Sequence, residues 1–223
     1  MQLNKYQQNT FNKLLKFDRS FVFWPRQWGK SILLISYLEW FVTNHHQQNI
    51  LLLVNKMAYL NSMKAKIKTN LGNLLLDRHR TDDLYFINEN YLKFGSIYQP
   101  LEFKLYNLKP SLILYDEFII FDLVDLLPIK KYIDNFNCKC VFTSTFIDLS
   151  VIKMLDNKND FYFNIIPPSL KEDDSDYARL YFTHMKGIVK ELSYKPDYLL
   201  DYFEKIYQRK LKLKRINLIA NGI

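Results

Sequence analysis

The sequence predicts an α/β domain in which helices cover a mainly parallel β-sheet, and two observations support this prediction. Short apolar runs alternate with longer segments whose apolar residues recur at helical spacing. Residues 50–54 and 112–115 are apolar without interruption, which is typical of strands buried on both faces. Such sheets bind ligands at the carboxyl ends of their strands, so function is expected at that edge.

The predicted elements alternate along the chain. We predict helices over residues 3–16, 30–43, 56–68 and 130–135, and strands over 20–24, 50–54, 84–87, 91–94, 101–106, 112–115 and 140–142. After about residue 150 the pattern weakens, and Pro167-Pro168 and an acidic cluster over 172–176 indicate a loop or linker. A Lys-rich helix is predicted over 197–213. We therefore assign a core to 1–150 and a linker subdomain to 151–223.

Composition narrows the class of protein. The 223 residues suit one domain with a small appendage, and 48% hydrophobic with 24% charged residues excludes wholesale disorder. No apolar run is long enough to span a membrane, and the first residues do not resemble a signal peptide, so we expect a soluble, non-secreted protein. The net charge of +8 favours an acidic partner such as nucleic acid, although an AT-rich genome also enriches lysine.

The two cysteines, Cys138 and Cys140, form a C-x-C pair inside an apolar stretch. Two thiols alone do not make the usual four-ligand zinc site. We expect buried, reduced thiols that belong to a strand.

A candidate phosphate-binding turn lies between the first predicted strand and the second predicted helix. It contains Gly29, Lys30 and Ser31, the G-K-S end of a phosphate loop. Glycine lets the backbone approach phosphate, lysine reaches the β- and γ-phosphates, and serine can ligate Mg²⁺ at the helix N-terminus. Trp24 stands where the motif usually has its first glycine, so an ordinary surface turn remains an alternative.

Two further strands end in polar side chains. Asp116 and Glu117 follow the apolar run over 112–115, where one carboxylate can serve Mg²⁺ and the next can polarise a water. Thr143, Ser144 and Thr145 end the following strand and are expected beside the acidic pair, where they can respond to the γ-phosphate. For the acidic pair, the alternative is a solvated strand end or a helix cap. For the three hydroxyl residues, the alternative is that they cap a strand or a helix.

With these elements in order, residues 3–147 resemble the ATPase domain of the large terminase subunit of tailed phages, the DNA-packaging motor. Residues 3–7 resemble the L-x-x-Y-Q adenine motif of the family, and residues 26–31 match its R-Q-x-G-K-[ST] phosphate loop, which also lacks the first glycine. Phe94-Gly95-Ser96-Ile97 resembles a short G-S turn before the acidic strand, and Thr143 to Thr145 resembles the coupling motif. The coupling motif of the family often continues into Pro, whereas Phe146 follows here.

The resemblance implies a P-loop NTPase fold of the ASCE/RecA-like class that binds ATP and Mg²⁺. It implies that Tyr6 and Gln7 contact the adenine, Ser31 and Asp116 hold the metal, and Glu117 orients the attacking water. Thr143, Ser144 and Thr145 would couple γ-phosphate release to motion. The implied triphosphate-binding residues are Arg26, Gln27, Trp28, Gly29, Lys30 and Ser31, with Lys30 and Arg26 also catalytic. Arg26 would stabilise charge in its own subunit or toward a neighbour, with loop packing or a surface salt bridge as the alternative.

The resemblance also implies partners and a location. Double-stranded DNA is the implied substrate track, with a portal, a small terminase subunit and a homo-oligomeric ring as further partners inside the host cell. Too few residues follow residue 147 for a nuclease domain of about 150–200 residues, so we expect no nuclease activity, with the nuclease either absent or on another chain. Residues 151–223 would form a small lid, and the closing basic helix would contact DNA phosphates or simply be solvated.

Three function classes remain open. The first is a packaging-type, DNA-translocating ATPase, and the second is another P-loop ATPase, helicase-like or associated with transposition. A monomeric helicase would need a second recA-like domain, for which the chain is too short. The third is a scaffold that binds nucleotide without hydrolysing it, although the joint presence of Lys30, Ser31, Asp116 and Glu117 argues against decay of the site.

Overall fold

The structure is a computed structural model. It describes residues 2–24, 28–55, 57–76, 83–96, 108–117, 127–136, 138–145 and 162–165. The chain divides into two compact units, Met1–Ile165 and Ile166–Ile223. All of the described residues belong to the first unit, so the fold given below is that of the first unit.

Helices and strands alternate along the described part of the chain. The helices are α1 Lys5–Leu14, α2 Lys30–Asn44, α3 Met57–Leu71 and α4 Leu127–Phe136, with a 3₁₀ turn over Gly72–Leu74. The strands are β1 Arg19–Phe23, β2 Asn49–Val54, β3 Leu84–Tyr85, β4 Tyr91–Ser96, β5 Leu112–Asp116, β6 Lys139–Ser144 and β7 Tyr162–Ile165.

The seven described strands form one sheet in the order β3-β4-β2-β5-β6-β1-β7. All neighbours pair in parallel except β3, which runs antiparallel to β4 at one edge. β6 lies between β1 and β5, which pair with it through Arg19↔Cys140 and Leu112↔Lys139 at their first residues. The carboxyl ends of β1, β6 and β5 therefore meet side by side at one edge.

Apolar strands and amphipathic helices explain this arrangement. β1 and β5 are buried along their whole length, and β2 is buried from Ile50 onward, as expected for parallel strands with both faces covered. α2 packs against β5 and β6, while α3 packs against β2 and β4. At least nine large side chains of this core are almost completely buried, among them Trp24, Tyr37, Tyr115 and Phe142.

The predicted fold class is confirmed, and the predicted helices and strands of the described part lie within a few residues of the observed ones. Residues 95–96 correct one expectation: Gly95 and Ser96 are the last residues of β4, paired with Leu53 and Val54, and do not form a turn. The parallel pairing with β2 extends the strand through a glycine that by itself suggests a turn. The predicted strand over 101–106 and the closing helix over 197–213 lie outside the described residues.

The sheet continues beyond residue 150, where we placed the end of the core. β7 pairs with β1 from Ser20↔Tyr162 to Phe23↔Ile165, and the Tyr162 ring stacks on Phe17 with centroids 4.5 Å apart. This strand is short, contains Asn164 and follows an Asn- and Asp-containing segment, so its alternation is weak in the sequence. The assignment of a lid to the residues that follow stays a prediction.

Both cysteines are buried, as expected, but only Cys140 belongs to a strand. Cys138 lies just before β6, the two residues form no disulfide, and their sulfur atoms lie 3.8 Å apart. Hydrogen bonding to Cys140 lowers the pKa of the Cys138 thiol, an effect that burial opposes.

No helix in the described ranges has the length and apolarity that crossing a bilayer requires.

Candidate functional site

The turn between β1 and α2 places Gly29 and Lys30 at the carboxyl edge of the sheet. Gly29 precedes the first residue of α2 and has φ of 81°, a left-handed conformation that side chains with a Cβ rarely adopt. The chain therefore needs glycine at this position to begin the helix. Trp28 and Gly29 are described, whereas Arg26 and Gln27 lie outside the described residues.

Lys30 connects the ends of three strands. Its Nζ donates to the Trp24 main-chain oxygen (3.1 Å) after β1 and to Thr145 Oγ1 (2.9 Å) after β6. It also pairs with Glu117 Oε1 after β5 at 3.0 Å. Only 5% of Lys30 is exposed, so this positive charge lies inside the protein, where its partners include the Glu117 carboxylate and the Trp24 and Thr145 oxygens. Buried charges persist only when they are paired and hydrogen-bonded in this way.

Asp116 forms a second set of contacts beside the first. The Ser31 hydroxyl donates to its Oδ2 at 2.6 Å, and the Thr143 hydroxyl donates to its Oδ1 at 2.9 Å. Both carboxylate oxygens are therefore hydrogen-bonded, one from the first turn of α2 and one from β6. Burial raises the pKa of Asp116, and the hydrogen bonds from Ser31 and Thr143 oppose that rise.

Glu117 differs from Asp116 in backbone conformation and in exposure. Its φ of 54° lies in the left-handed region, which is uncommon for a residue other than glycine and is often found at functional sites. Its side chain is 32% exposed and accepts a hydrogen bond from Thr145 Oγ1 at 3.3 Å. Glu117 thus combines contact with Lys30 and Thr145 with access to water.

The hydroxyl residues at the end of β6 lie between the turn and the acidic pair. Thr143 contacts Asp116, and Thr145 contacts both Lys30 and Glu117. Ser144 is buried, and its main-chain oxygen accepts from the Trp24 N–H at 3.1 Å. The structure thus brings these three residues to the edge where the sequence predicts them.

The start of α1 lies against the same turn. Gln7 Nε2 donates to the Trp28 main-chain oxygen at 3.2 Å, and the rings of Tyr6 and Trp28 have centroids 6.1 Å apart. Tyr6 is 63% exposed, whereas Gln7 is buried. Sequence reasoning missed the contribution of Asn4, which forms a capping box with Gln7. An Asn followed three residues later by Gln, ahead of a helical pattern, was the signal that could have identified it.

A buried polar pair next to the acidic strand was also missed. The Tyr115 hydroxyl donates to Asn55 Oδ1 at 2.8 Å, and Ser96 Oγ donates to the Asn55 main-chain oxygen at 3.1 Å. These contacts join the carboxyl ends of β5, β2 and β4 and support the strand that carries Asp116. The sequence signal is weak, because Tyr115 reads as one more apolar residue of a buried run.

The donor set fits a magnesium-bound triphosphate. Mg²⁺ prefers oxygen ligands and is commonly held by one or two carboxylates together with substrate phosphates. Ser31 and Asp116 supply a hydroxyl and a carboxylate in contact with each other. The N-terminus of α2 and the Lys30 ammonium supply the positive potential that phosphates require.

Known proteins resemble this chain in structure, whereas the comparisons by sequence found no match. No protein-family model and no curated protein matches the chain. The chain is similar in structure to the large terminase of bacteriophage HK97, with a TM-score of 0.59, 12% identity, and coverage of 93% of this chain and 48% of that one. The large terminase of a thermophilic bacteriophage, in complex with ATP-γ-S, gives 0.58 and 14% over 81% of this chain and 49% of that one.

A shorter protein is matched over almost its whole length. The N-terminal domain of the DNA packaging ATPase from bacteriophage phi29 gives a TM-score of 0.52 at 19% identity, over 73% of this chain and 97% of that one. By contrast, the chain spans only about half the length of the two large terminases. At these identities the similarity shows a shared fold, and that fold is the P-loop NTPase fold of terminase ATPase domains.

Proposed function

We propose that this chain is an ATPase that hydrolyses ATP to drive viral DNA packaging. The observation that carries the proposal is the convergence of Lys30 and Ser31 from the turn with Asp116 and Glu117 from β5 at one sheet edge. Lysine, hydroxyl and two acids in this order are the residues that bind and hydrolyse a nucleoside triphosphate in P-loop proteins. The fold shared with terminase ATPase domains supports ATP as the substrate and packaging as the process.

The contacts suggest how substrate binding prepares the site. In the structure the Lys30 ammonium is paired with Glu117, so an incoming triphosphate must replace that carboxylate as its anionic partner. The exchange releases Glu117, which is water-accessible and can then orient a water molecule toward the γ-phosphorus. The water oxygen forms a bond to the γ-phosphorus as the bond from that phosphorus to the bridging oxygen breaks, so that ATP and water give ADP, hydrogen phosphate and a proton released to solvent.

Ser31 and Asp116 are the residues that would hold Mg²⁺ in this site. When bound, Mg²⁺ supplies positive charge that neutralises the phosphate oxygens. Their mutual hydrogen bond, together with Thr143, keeps both oxygen ligands in place before any cation arrives. We assign Arg26 a charge-stabilising role and Gln27 a place in the phosphate loop, although both lie outside the described residues.

Thr145 and Thr143 are suited to report the state of the nucleotide. Thr145 touches both Lys30 and Glu117, which exchange partners when triphosphate binds, and Thr143 touches Asp116. A change at the γ-phosphate therefore reaches β6 directly. We propose that β6 transmits it toward double-stranded DNA, and that a portal, a small terminase subunit and a ring of copies complete the motor.

The decisive test is ATP turnover with and without double-stranded DNA, for the wild type and Glu117→Gln. DNA-stimulated turnover that falls by about 10²–10⁴-fold in the variant supports the packaging-type ATPase. Strand separation by the wild type would instead support a helicase-like enzyme. Nucleotide binding without turnover under any condition would identify a scaffold. Binding of ATP by Glu117→Gln serves as the control that the variant is folded.

A further inference from the structure

The side-chain amide of Gln7 is occupied at both ends by main-chain groups. Its Oε1 accepts from the Asn4 N–H at 2.9 Å, and its Nε2 donates to the Trp28 main-chain oxygen at 3.2 Å. The residue is only 6% exposed. A base-reading glutamine would present both an acceptor and a donor to the adenine edge, whereas here one acceptor position of Oε1 bonds helix α1 and one N–H of Nε2 bonds the turn.

Gln7 also lies directly over Gly29. A Cβ built on Gly29 would come within 2.2 Å of Gln7 Nε2, closer than two atoms can approach. The amide therefore fills the space that a side chain at Gly29 would take. Gly29 immediately precedes Lys30, so Gln7 packs on the part of the turn that sets the direction of the phosphate-binding lysine.

The capping box makes Gln7 a rigid support. Asn4 Oδ1 accepts from the Gln7 N–H at 2.9 Å, the reciprocal of the bond from the Asn4 N–H to Gln7 Oε1. Both the main chain and the side chain of Gln7 are thus fixed by the first turn of α1. The hydrogen bond from Gln7 Nε2 then fixes the position of the turn at Trp28, which lies 21 residues further along the sequence.

We infer that Gln7 is a positioning residue that holds the phosphate-binding turn in shape, and that it contributes equally to the binding of any triphosphate. This inference rests on the proposed function, because it concerns the same site. It predicts that nucleotide-base selection depends on other groups. Tyr6, the neighbouring and exposed side chain, remains free to contact a base.

The experiment compares three magnesium-loaded ligands, ATP, GTP and inorganic tripolyphosphate, by calorimetric titration. Tripolyphosphate has no base, so only a contribution through the turn can affect it. We expect Gln7→Ala to raise the Kd of all three ligands by a common factor of about 10, because the variant loses a hydrogen bond that shapes the site. The KM for ATP should rise by a similar factor, with a smaller change in kcat.

Three variants separate this role from helix stability. Asn4→Ala removes the side-chain cap but keeps the bonds of the Gln7 amide to the Asn4 N–H and to the Trp28 oxygen, so its loss of affinity should be smaller than that of Gln7→Ala. Gln8→Ala removes an exposed glutamine from the same helix and should have no effect. Gln7→Met keeps the length and helix propensity of the side chain, and should reproduce the uniform loss if Gln7→Ala unfolds.

The outcomes are distinct. A uniform loss that is larger in the Gln7 variants than in Asn4→Ala, and absent from Gln8→Ala, supports the inference. A loss confined to ATP would show base reading, a loss equal to that of Asn4→Ala would show a helix cap, and unchanged affinities would show no role; each overturns it. Failure of the folded wild type to bind any of the three ligands would overturn the proposed function and, with it, this inference.

Discussion

The two edges of the sheet use polar residues in different ways. At the edge where strands begin, Asn90 is completely buried and its Nδ2 donates to the main-chain oxygens of Val42 and His45, at 3.1 and 2.7 Å. Its Oδ1 accepts from the Gln48 N–H at 2.8 Å. At the edge where strands end, the buried polar groups include the charged Lys30 and Asp116, which contact the side chains of Glu117 and Ser31.

The difference separates polar residues that build the fold from those that serve a ligand. Neutral amides at the first edge satisfy main-chain groups that would otherwise be unpaired, which is a structural task. Buried charges at the second edge cost desolvation energy that apolar residues would avoid. Apart from the bond of Lys30 to the Trp24 main-chain oxygen, the contacts described for them join side chains, so a ligand can replace these contacts without unfolding a strand. The three variants below test this division, from the largest expected effect to the smallest.

Replacing the buried lysine should have the largest effect. Lys30→Met removes the ammonium that attracts phosphate while it keeps the length of the side chain, and we expect kcat/KM for ATP to fall by about 10³-fold or more. Steady-state kinetics measure this change. Lys66→Met, an exposed change on α3, is the matched control and should retain activity. Turnover retained by Lys30→Met would contradict the proposed site.

Removing the shared hydroxyl should have an intermediate effect. Thr145→Val deletes the oxygen that contacts both Lys30 and Glu117 and keeps the β-branched shape. We expect kcat to fall by about 10-fold, because the position of Glu117 would be less well defined, with KM changed less. Thr43→Val on α2, whose hydroxyl bonds only within its helix, is the control. An equal loss in both variants would argue against a specific role for Thr145.

A substitution at the edge where strands begin should lower stability and leave catalysis intact. Asn90→Ala removes the acceptor of the Gln48 N–H and one of the amide donors to the Val42 and His45 oxygens, and should lower the free energy of unfolding by about 2 kcal/mol. Denaturant unfolding measures this loss, and Asn70→Ala on the exposed face of α3 is the control. The kcat per folded molecule of Asn90→Ala should match wild type. A specific loss of kcat would show that the two edges are coupled.

Much of this architecture could be predicted from local patterns. Uninterrupted apolar runs identified β2 and β5, and helical spacing identified α1 and α2, because burial on two faces or on one stripe leaves its period in the sequence. Gly29-Lys30-Ser31 and Asp116-Glu117 could be read as candidates for the same reason, since each follows a recognisable strand. β7 was missed because its pairing with β1 is not encoded in a strong alternation.

The sequence by itself determined the local elements and the chemistry available at their ends: a glycine that permits a left-handed turn, a lysine and serine that begin a helix, and acids that end a strand. Only the tertiary structure decided that β6 lies between β1 and β5, that Lys30 is paired with Glu117, and that the Gln7 amide donates to the Trp28 main-chain oxygen. The physical reason is that these contacts join residues far apart along the chain. Their energies depend on which strands pair, and no periodicity within one segment records that choice.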